Sequence, residues 1–410
     1  MHLRLSLGIL LVGLGLAPGS LSGQSTSALR FDSFFSEPTV GDRRVYALAP
    51  AAWWNDATDV TLAIRLRSIH GRTDRITAWL SRGFFGVEHA TVGDVVDGYL
   101  KWENPWFLNS SDATQSLELW SQDGTVGARV VFGETHGGAV PSSHSRYSAW
   151  SAQWVATAET NYLERTLWEN AGTVEAGRLD DLRFSAWHGE WRVRLDYRVG
   201  LTYAKPGGRT TDPKPFGRVT ASGSLRKPVG PFVLGVRAFA GAYLADDPPV
   251  LQRRIPVDGA DPYETLGNPL VRTQGAPLAG SNVVYHSPGN GNLRGFRPGI
   301  GGRWMVGGTL ELEKVLITRP RGVFRSASIV GFGDGAVVDT LAVVSTFGNG
   351  ASPVSDAGIG VRIGLRIGDI DFPVRVEFPF FVSEPDLAHE RIPGGERVGF
   401  RWLISFQPIF

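Results

Sequence analysis

The chain of 410 residues contains no cysteine. That absence excludes disulfides, cysteine metal sites, a cysteine nucleophile and the acylated cysteine of a lipoprotein. Excess charge is also missing: 41 basic residues face 40 acidic ones, so nothing invites a nucleic-acid partner. Beyond the N-terminus no apolar run reaches the ~18 residues of a membrane helix, and mean hydropathy is −0.07. A helical membrane protein is thereby excluded. A membrane barrel is not, because its strands alternate and never read as uniformly apolar.

Catalytic spacing is absent too. The 8 histidines form no H-x-x-x-H or H-E-x-x-H pair, and there is no G-x-S-x-G elbow or phosphate loop. Ser142, Ser143 and His144 adjoin in what reads as an outside loop, where adjacency of polar residues is ordinary. Asp246, Asp247, Asp258 and Asp261 fit no calcium-loop template and read as solvated acids. The expectation is a protein that is not an enzyme and uses no cofactor and no metal.

What the chain does have is 52 glycines and 11% aromatic residues, a composition suited to strands that twist, bend and pack closely. Its start reads as an export signal. His2 and Arg4 precede the apolar run 5–16, then come Pro18-Gly19 and the small residues Ser20, Ser22 and Gly23. The run is shorter than the roughly 20 residues that span a bilayer. The expected organisation is a signal peptide over 1–23, a short periplasmic lead over 24–43 and a barrel over 44–410.

Period two dominates the rest. Trp191, Val193, Leu195, Tyr197, Val199, Leu201 and Tyr203 fall on one face, while Arg192, Arg194, Asp196, Arg198, Gly200 and Thr202 fall on the other. A helix would scatter both sets around its circumference, so this is a strand. The same grammar recurs at 60–67, 232–242, 303–313, 359–367 and 372–380. Runs of about 10 residues match tilted membrane-spanning strands better than globular ones of about 5 or 6. Read backward from Phe410, connections alternate long and short. Residues 382–396, 335–355, 246–301 and 205–214 are long, whereas 368–371, 318–322, 228–230 and 188–190 are short. Outer-membrane barrels alternate in this way, and a soluble β-sandwich has no reason to. The fold expected is all-β: a transmembrane antiparallel barrel of about 16 strands, with its N-terminal strands the least distinct.

The last segment puts Phe400, Trp402, Ile404, Phe406 and Phe410 on one face, against Arg401, Ser405 and Gln407. A terminal aromatic on such a strand resembles the assembly signal of outer-membrane barrels. The resemblance implies delivery to the bacterial outer membrane, outer-membrane lipid as surroundings and the barrel assembly machinery as a partner during biogenesis.

The longest connection contains Leu293-Arg294-Gly295-Phe296. This tetrad resembles the signature of the bacterial surface-antigen barrels, which include the protein-assembly insertase and the two-partner-secretion transporters. In that family the tetrad lies in the sixth outside loop, which folds into the lumen. Its Arg meets an acidic residue on the inner wall two strands later. Asp334, within Gly331-Phe332-Gly333-Asp334-Gly335, stands at the corresponding place, with about five strands following Phe296. The resemblance implies a lumen lock of Arg294, Gly295, Phe296 and Asp334, and a role in translocating or assembling protein or lipid. One departure stands out. The family's periplasmic modules have no room before this barrel, so a separate periplasmic partner protein is expected for such work. Arg192, Arg194, Arg198, Arg237, Arg303, Arg362 and Arg366 read as lumen-facing. They suit either anionic solutes in a passive pore or structural networks with Asp196, Glu311, Glu313 and Glu377.

Overall fold

The structure is a computed structural model, and it describes residues 28–31, 45–55, 59–70, 74–83, 96–104, 113–122, 124–136, 144–157, 171–204, 213–245, 249–259, 283–284, 286–287, 289–297, 300–319, 321–339, 351–367, 370–390, 392 and 394–405. The first strands are β1 (Ala28–Phe31), β2 (Val45–Asn55), β3 (Asp59–His70), β4 (Asp74–Gly83), β5 (Val96–Glu103), β6 (Ala113–Gln122) and β7 (Thr125–His136). There follow β8 (His144–Thr157), β9 (Ala171–Ala186), β10 (Gly189–Ala204), β11 (Lys214–Val229) and β12 (Phe232–Leu244). The long connection carries β13 (Ile255–Pro256), β14 (Val283–Val284) and β15 (Gly301–Gly302). The last strands are β16 (Trp304–Thr318), β17 (Phe324–Asp339), β18 (Ala351–Ile367), β19 (Ile370–Val382) and β20 (Leu403–Ser405).

Each strand from β2 to β12, then β16 to β20, pairs antiparallel with the next, so sixteen strands wrap into one barrel wall. β1 adds to β2 in parallel, and β14 adds to β20 in parallel. Alternation decides which face is which. Along β10, Leu195 is 45% exposed and its neighbour Asp196 is 4% exposed. Tyr197, Val199 and Leu201 share the exposed face with Leu195. The outward face is therefore apolar and the inward face charged, the reverse of a soluble barrel and the arrangement that a lipid surround favours.

Near the C-terminus, Arg401, Leu403 and Ser405 are buried while Phe400 is 64% exposed and Trp402 points out with it. Phe406 and Phe410 lie outside the described residues, as do residues 1–27, Ser142, Ser143, Asp246, Asp247 and Asp261.

Three expectations need correction. The connection expected over 335–355 is shorter, because β17 and β18 stay paired out to Asp339 and Ala351. The glycines of β17 let that ladder continue where the sequence reads as a loop. Second, the alternation read back to residue 188 does not extend into the N-terminal half: on the end that carries the long connections of the C-terminal half, β6 and β7 are joined through the tight turn at Gln122–Thr125, and β2 and β3 by residues 56–58 alone. Counting strands from there, His144 opens β8 at the end that carries the short turns and not at the end of the outside loops. Third, Asp258 is not solvated but buried, facing His286.

Candidate functional site

The long connection between β12 and β16 does not project from the barrel. Its described residues from Gly289 to Phe296 are buried, and side chains of the inner wall hold it at several points. Beginning at the β12 end, a 3-10 turn at Leu251–Arg253 reaches the wall at β8 and β9. Arg253 forms a 2.6 Å ion pair with Glu175 of β9, and Gln252 donates to the hydroxyl of Thr157 on β8 at 3.3 Å. From β12, Arg237 donates to the carbonyls of Gly291, at 2.8 Å, and of Asn290. A two-residue ladder between β13 and β15 closes the connection on itself.

Arg294 lies at its centre and is 0% exposed. Its Nε and Nη2 each donate to Asp334 of β17 at 2.8 Å, a two-pronged geometry that matches the guanidinium fork to a carboxylate. Its Nη1 donates to Glu311 of β16 at 2.6 Å and to Glu377 of β19 at 3.0 Å. The Phe332 ring lies 3.7 Å from the guanidinium carbon, within cation–π range. Burial would push Arg294 down, but Asp334, Glu377 and Glu311 outweigh it and hold the guanidinium well above its ordinary value. The carboxylates in turn share other cations. Arg375 reaches Glu311 at 2.5 Å and Glu377 at 2.6 Å, while Arg362 reaches Glu311 at 3.0 Å and Glu313 at 2.6 Å. A charge buried without such partners is strongly unfavourable, so the network fixes both the loop's depth and its register.

The neighbours of Arg294 have their own reasons. A Cβ built on Gly295 would come within 2.6 Å of Asp356 Cβ and 2.8 Å of Val382 Cγ2. Only glycine allows the loop backbone this close to the wall. Leu293 and Phe296 are buried with Phe239, Val257, Met305 and Val382 in an apolar cluster inside the barrel. The connection between β19 and β20 covers it: the His389 amide donates to the Gly295 carbonyl at 3.0 Å, and the Arg297 amide to the Leu387 carbonyl at 3.2 Å.

A second titratable group belongs to the site. His286 is buried, with Nδ1 3.2 Å from Asp258 and Nε2 3.7 Å from Glu377. Burial would lower its pKa, but Asp258 first and Glu377 second reverse the sign and raise it. The Ser405 hydroxyl of β20 donates to the same Glu377 oxygen that faces His286, Oε2, at 3.4 Å, while Arg294 donates to Oε1. One carboxylate thus links the loop arginine, the loop histidine and the last strand.

Arg294, Gly295, Phe296 and Asp334, singled out in sequence, meet in one place. Glu311 and Glu377 complete the arginine's shell. Their types could be read as lumen-facing, but their meeting with Arg294 depends on strand register. Arg253, Glu175 and His286 carry no sequence signal of their own. Among the lumen arginines, Arg192 pairs with Asp181 at 2.5 Å, and Arg198 pairs with Asp196 at 3.0 Å and Glu175 at 2.8 Å. Among the described residues, no group of three or more His, Asp and Glu is arranged to hold a metal ion.

These features define the class: an antiparallel β-barrel of the transmembrane kind, apolar outside, with a long loop locked in its lumen. No protein-family model and no curated protein matches the chain. Among solved structures it is similar to BamA from Haemophilus ducreyi lacking POTRA domains 1-3, with 13% identity and a TM-score of 0.46 over 88% of this chain and 72% of that one. It is also similar to the siderophore receptor PirA from Pseudomonas aeruginosa, with 9% identity and a TM-score of 0.33 over 82% of this chain and 65% of that one.

Proposed function

We propose that this protein is a bacterial outer-membrane barrel of the surface-antigen type, which translocates or assembles protein or lipid at that membrane without catalysis. The observation that carries the reading is the buried Arg294 held at once by Asp334, Glu311 and Glu377. A loop pinned so firmly fills the lumen and works against free diffusion. The seam between the first and last strands adds support. Over its described residues β20 pairs with β19 on one side and with the loop strand β14 on the other. Among the described residues no ladder joins it to β2. A terminal strand shared between the wall and the lumen loop suits a wall whose edge moves together with the loop when a polypeptide or lipid passes. A separate periplasmic protein would deliver the client.

Planar-bilayer recording tests this reading. The parent protein should show at most small, flickering openings, and a variant lacking the loop should show large, steady ones. Large, steady, solute-selective conductance from the parent would support a passive pore and overturn the proposal.

A further inference from the structure

Outward-facing positions in a lipid-exposed wall are expected to be apolar, and most here are. β7, β8 and β9 break the pattern at one spot. Glu134, Ser148 and Asp180 face one another across the three strands, and Asp180 in turn stands opposite Leu195 of β10. Leu195 is exposed on the outer wall, so the whole row points outward. One row away Phe132, Trp150 and Arg178 stand opposite Tyr197, and on the other side Arg146 stands opposite Leu182.

The charged groups are organised. The Asp180 carboxylate takes 2.9 Å from Arg178 Nε, 2.5 Å from the Ser148 hydroxyl and 3.3 Å from Arg146 Nη2. Arg178 also lies over the Trp150 ring at 5.1 Å. The arginines remain well exposed on their outer sides, with side-chain exposures of 54% for Arg146 and 39% for Arg178. On β7 and β8 the patch begins two residues from the strand ends at His136 and His144, but along β9 it lies in mid-strand. Along β9, Leu182 and Phe184 continue the outward face on one side of it, and Ala176 and Val174 continue it on the other. Hydrocarbon chains cannot satisfy the outer faces of these groups. Something polar of matching pattern must.

We propose that this face of β7–β9 is where a second copy of the chain docks in the plane of the membrane. The charges argue for a copy. Glu134 and Asp180 against Arg146 and Arg178 make two of each sign, so the patch is neutral overall and can be its own complement about a two-fold axis. In an interface of that symmetry each residue meets its counterpart's neighbour, which lets Arg146 or Arg178 of one copy reach Glu134 or Asp180 of the other. Large exposed apolar side chains border the charges: Trp150 is 59% exposed and Phe132 52%, with Trp154, Val174 and Leu182 around them. Aromatic and arginine side chains at the centre of a patch are what strong protein interfaces use.

This rests on the outer face being lipid-facing, and the test separates the two ideas. The chain has no cysteine, so Phe132→Cys and Trp150→Cys each introduce a single thiol. Oxidation in outer-membrane fractions should give a band of twice the mass for both, and none for Leu312→Cys on the wall formed by β16. Adding Asp180→Arg, which leaves three cations against one anion, should reduce the doubled band tenfold or more while the barrel still migrates differently boiled and unboiled. A heat-modifiable barrel that stays monomeric with either patch thiol, or whose patch thiols capture only a different protein, overturns the proposal. A parent protein that migrates identically boiled and unboiled overturns the barrel reading instead.

Discussion

Replacing Arg294 by methionine keeps an unbranched apolar stem and removes the charged guanidinium. Glu311 would still hold Arg375 and Arg362, and Glu377 would still hold Arg375. Asp334 is different, because its only ion pair among the described residues is with Arg294. The substitution therefore leaves one buried carboxylate uncompensated, a loss of about 3–5 kcal/mol. In equilibrium terms the released loop gains roughly 150- to 4,000-fold over the locked one. Asp334→Leu alone should do less, about 1–3 kcal/mol, since Arg294 keeps two carboxylates. The double variant should recover much of the loss, because replacing both members of a buried pair is often nearly neutral. The assay is proteolysis of the loop in the detergent-folded barrel across a urea series, with heat-modifiable migration reporting the wall separately. The lock is refuted if Arg294→Met stays within about 1 kcal/mol of the parent and shows no coupling to Asp334→Leu. The simpler swap of Arg294→Glu with Asp334→Arg should rescue only in part, because Glu311 and Glu377 would still repel the new carboxylate.

His286 makes loop retention depend on pH. Its folded-state pKa is raised, so its contribution is fully present below the unfolded value of about 6.5 and is lost as pH rises through the folded value. Loop proteolysis should accelerate across that window in the parent, and His286→Gln should flatten the profile; a flat parent profile would contradict the geometry. Gly295→Ala should destabilise the folded loop by about 1–3 kcal/mol through overpacking against Asp356 and Val382, seen as a lower urea midpoint for loop protection, and an unchanged midpoint would refute that contact. The turn between β9 and β10 holds Trp187 at φ 52° and His188 at φ 58°. Such a turn favours Asn-Gly, so replacing the pair by Asn-Gly should raise barrel stability by about 1 kcal/mol or more, measured as urea resistance of the heat-modifiable form.

Much of the barrel is legible from residues alone where the two environments differ most. Along β10 every second residue meets lipid and the others meet charge, so Trp191 to Tyr203 announces its own faces. β9 hides the same arrangement. Arg178 and Asp180 point outward while Leu179 points inward, so period two survives in the backbone but not in the polarity. Glycines in β17 read as loop because they lack side chains, although the ladder needs only their amides and carbonyls. For the site, Arg294 and Asp334 could be matched by strand order. Glu311 and Glu377 could not, since they stand 17 and 83 residues from Arg294 and only the stagger of neighbouring strands brings them level. Arg253 of the loop and Glu175 of β9 are joined inside the barrel, which no local pattern encodes.

The pairing of β14 with β20 has a mechanical consequence. β14 belongs to the same connection that carries Arg294 and His286, and Ser405 of β20 touches the Glu377 carboxylate that both of those residues address. A tug on the terminal strand away from β19 would be transmitted along backbone hydrogen bonds to the plug, and through one shared carboxylate to its two fastenings. Terminal strand and lumen loop thus form one linkage, so whatever pulls on the one also has a lever on the other.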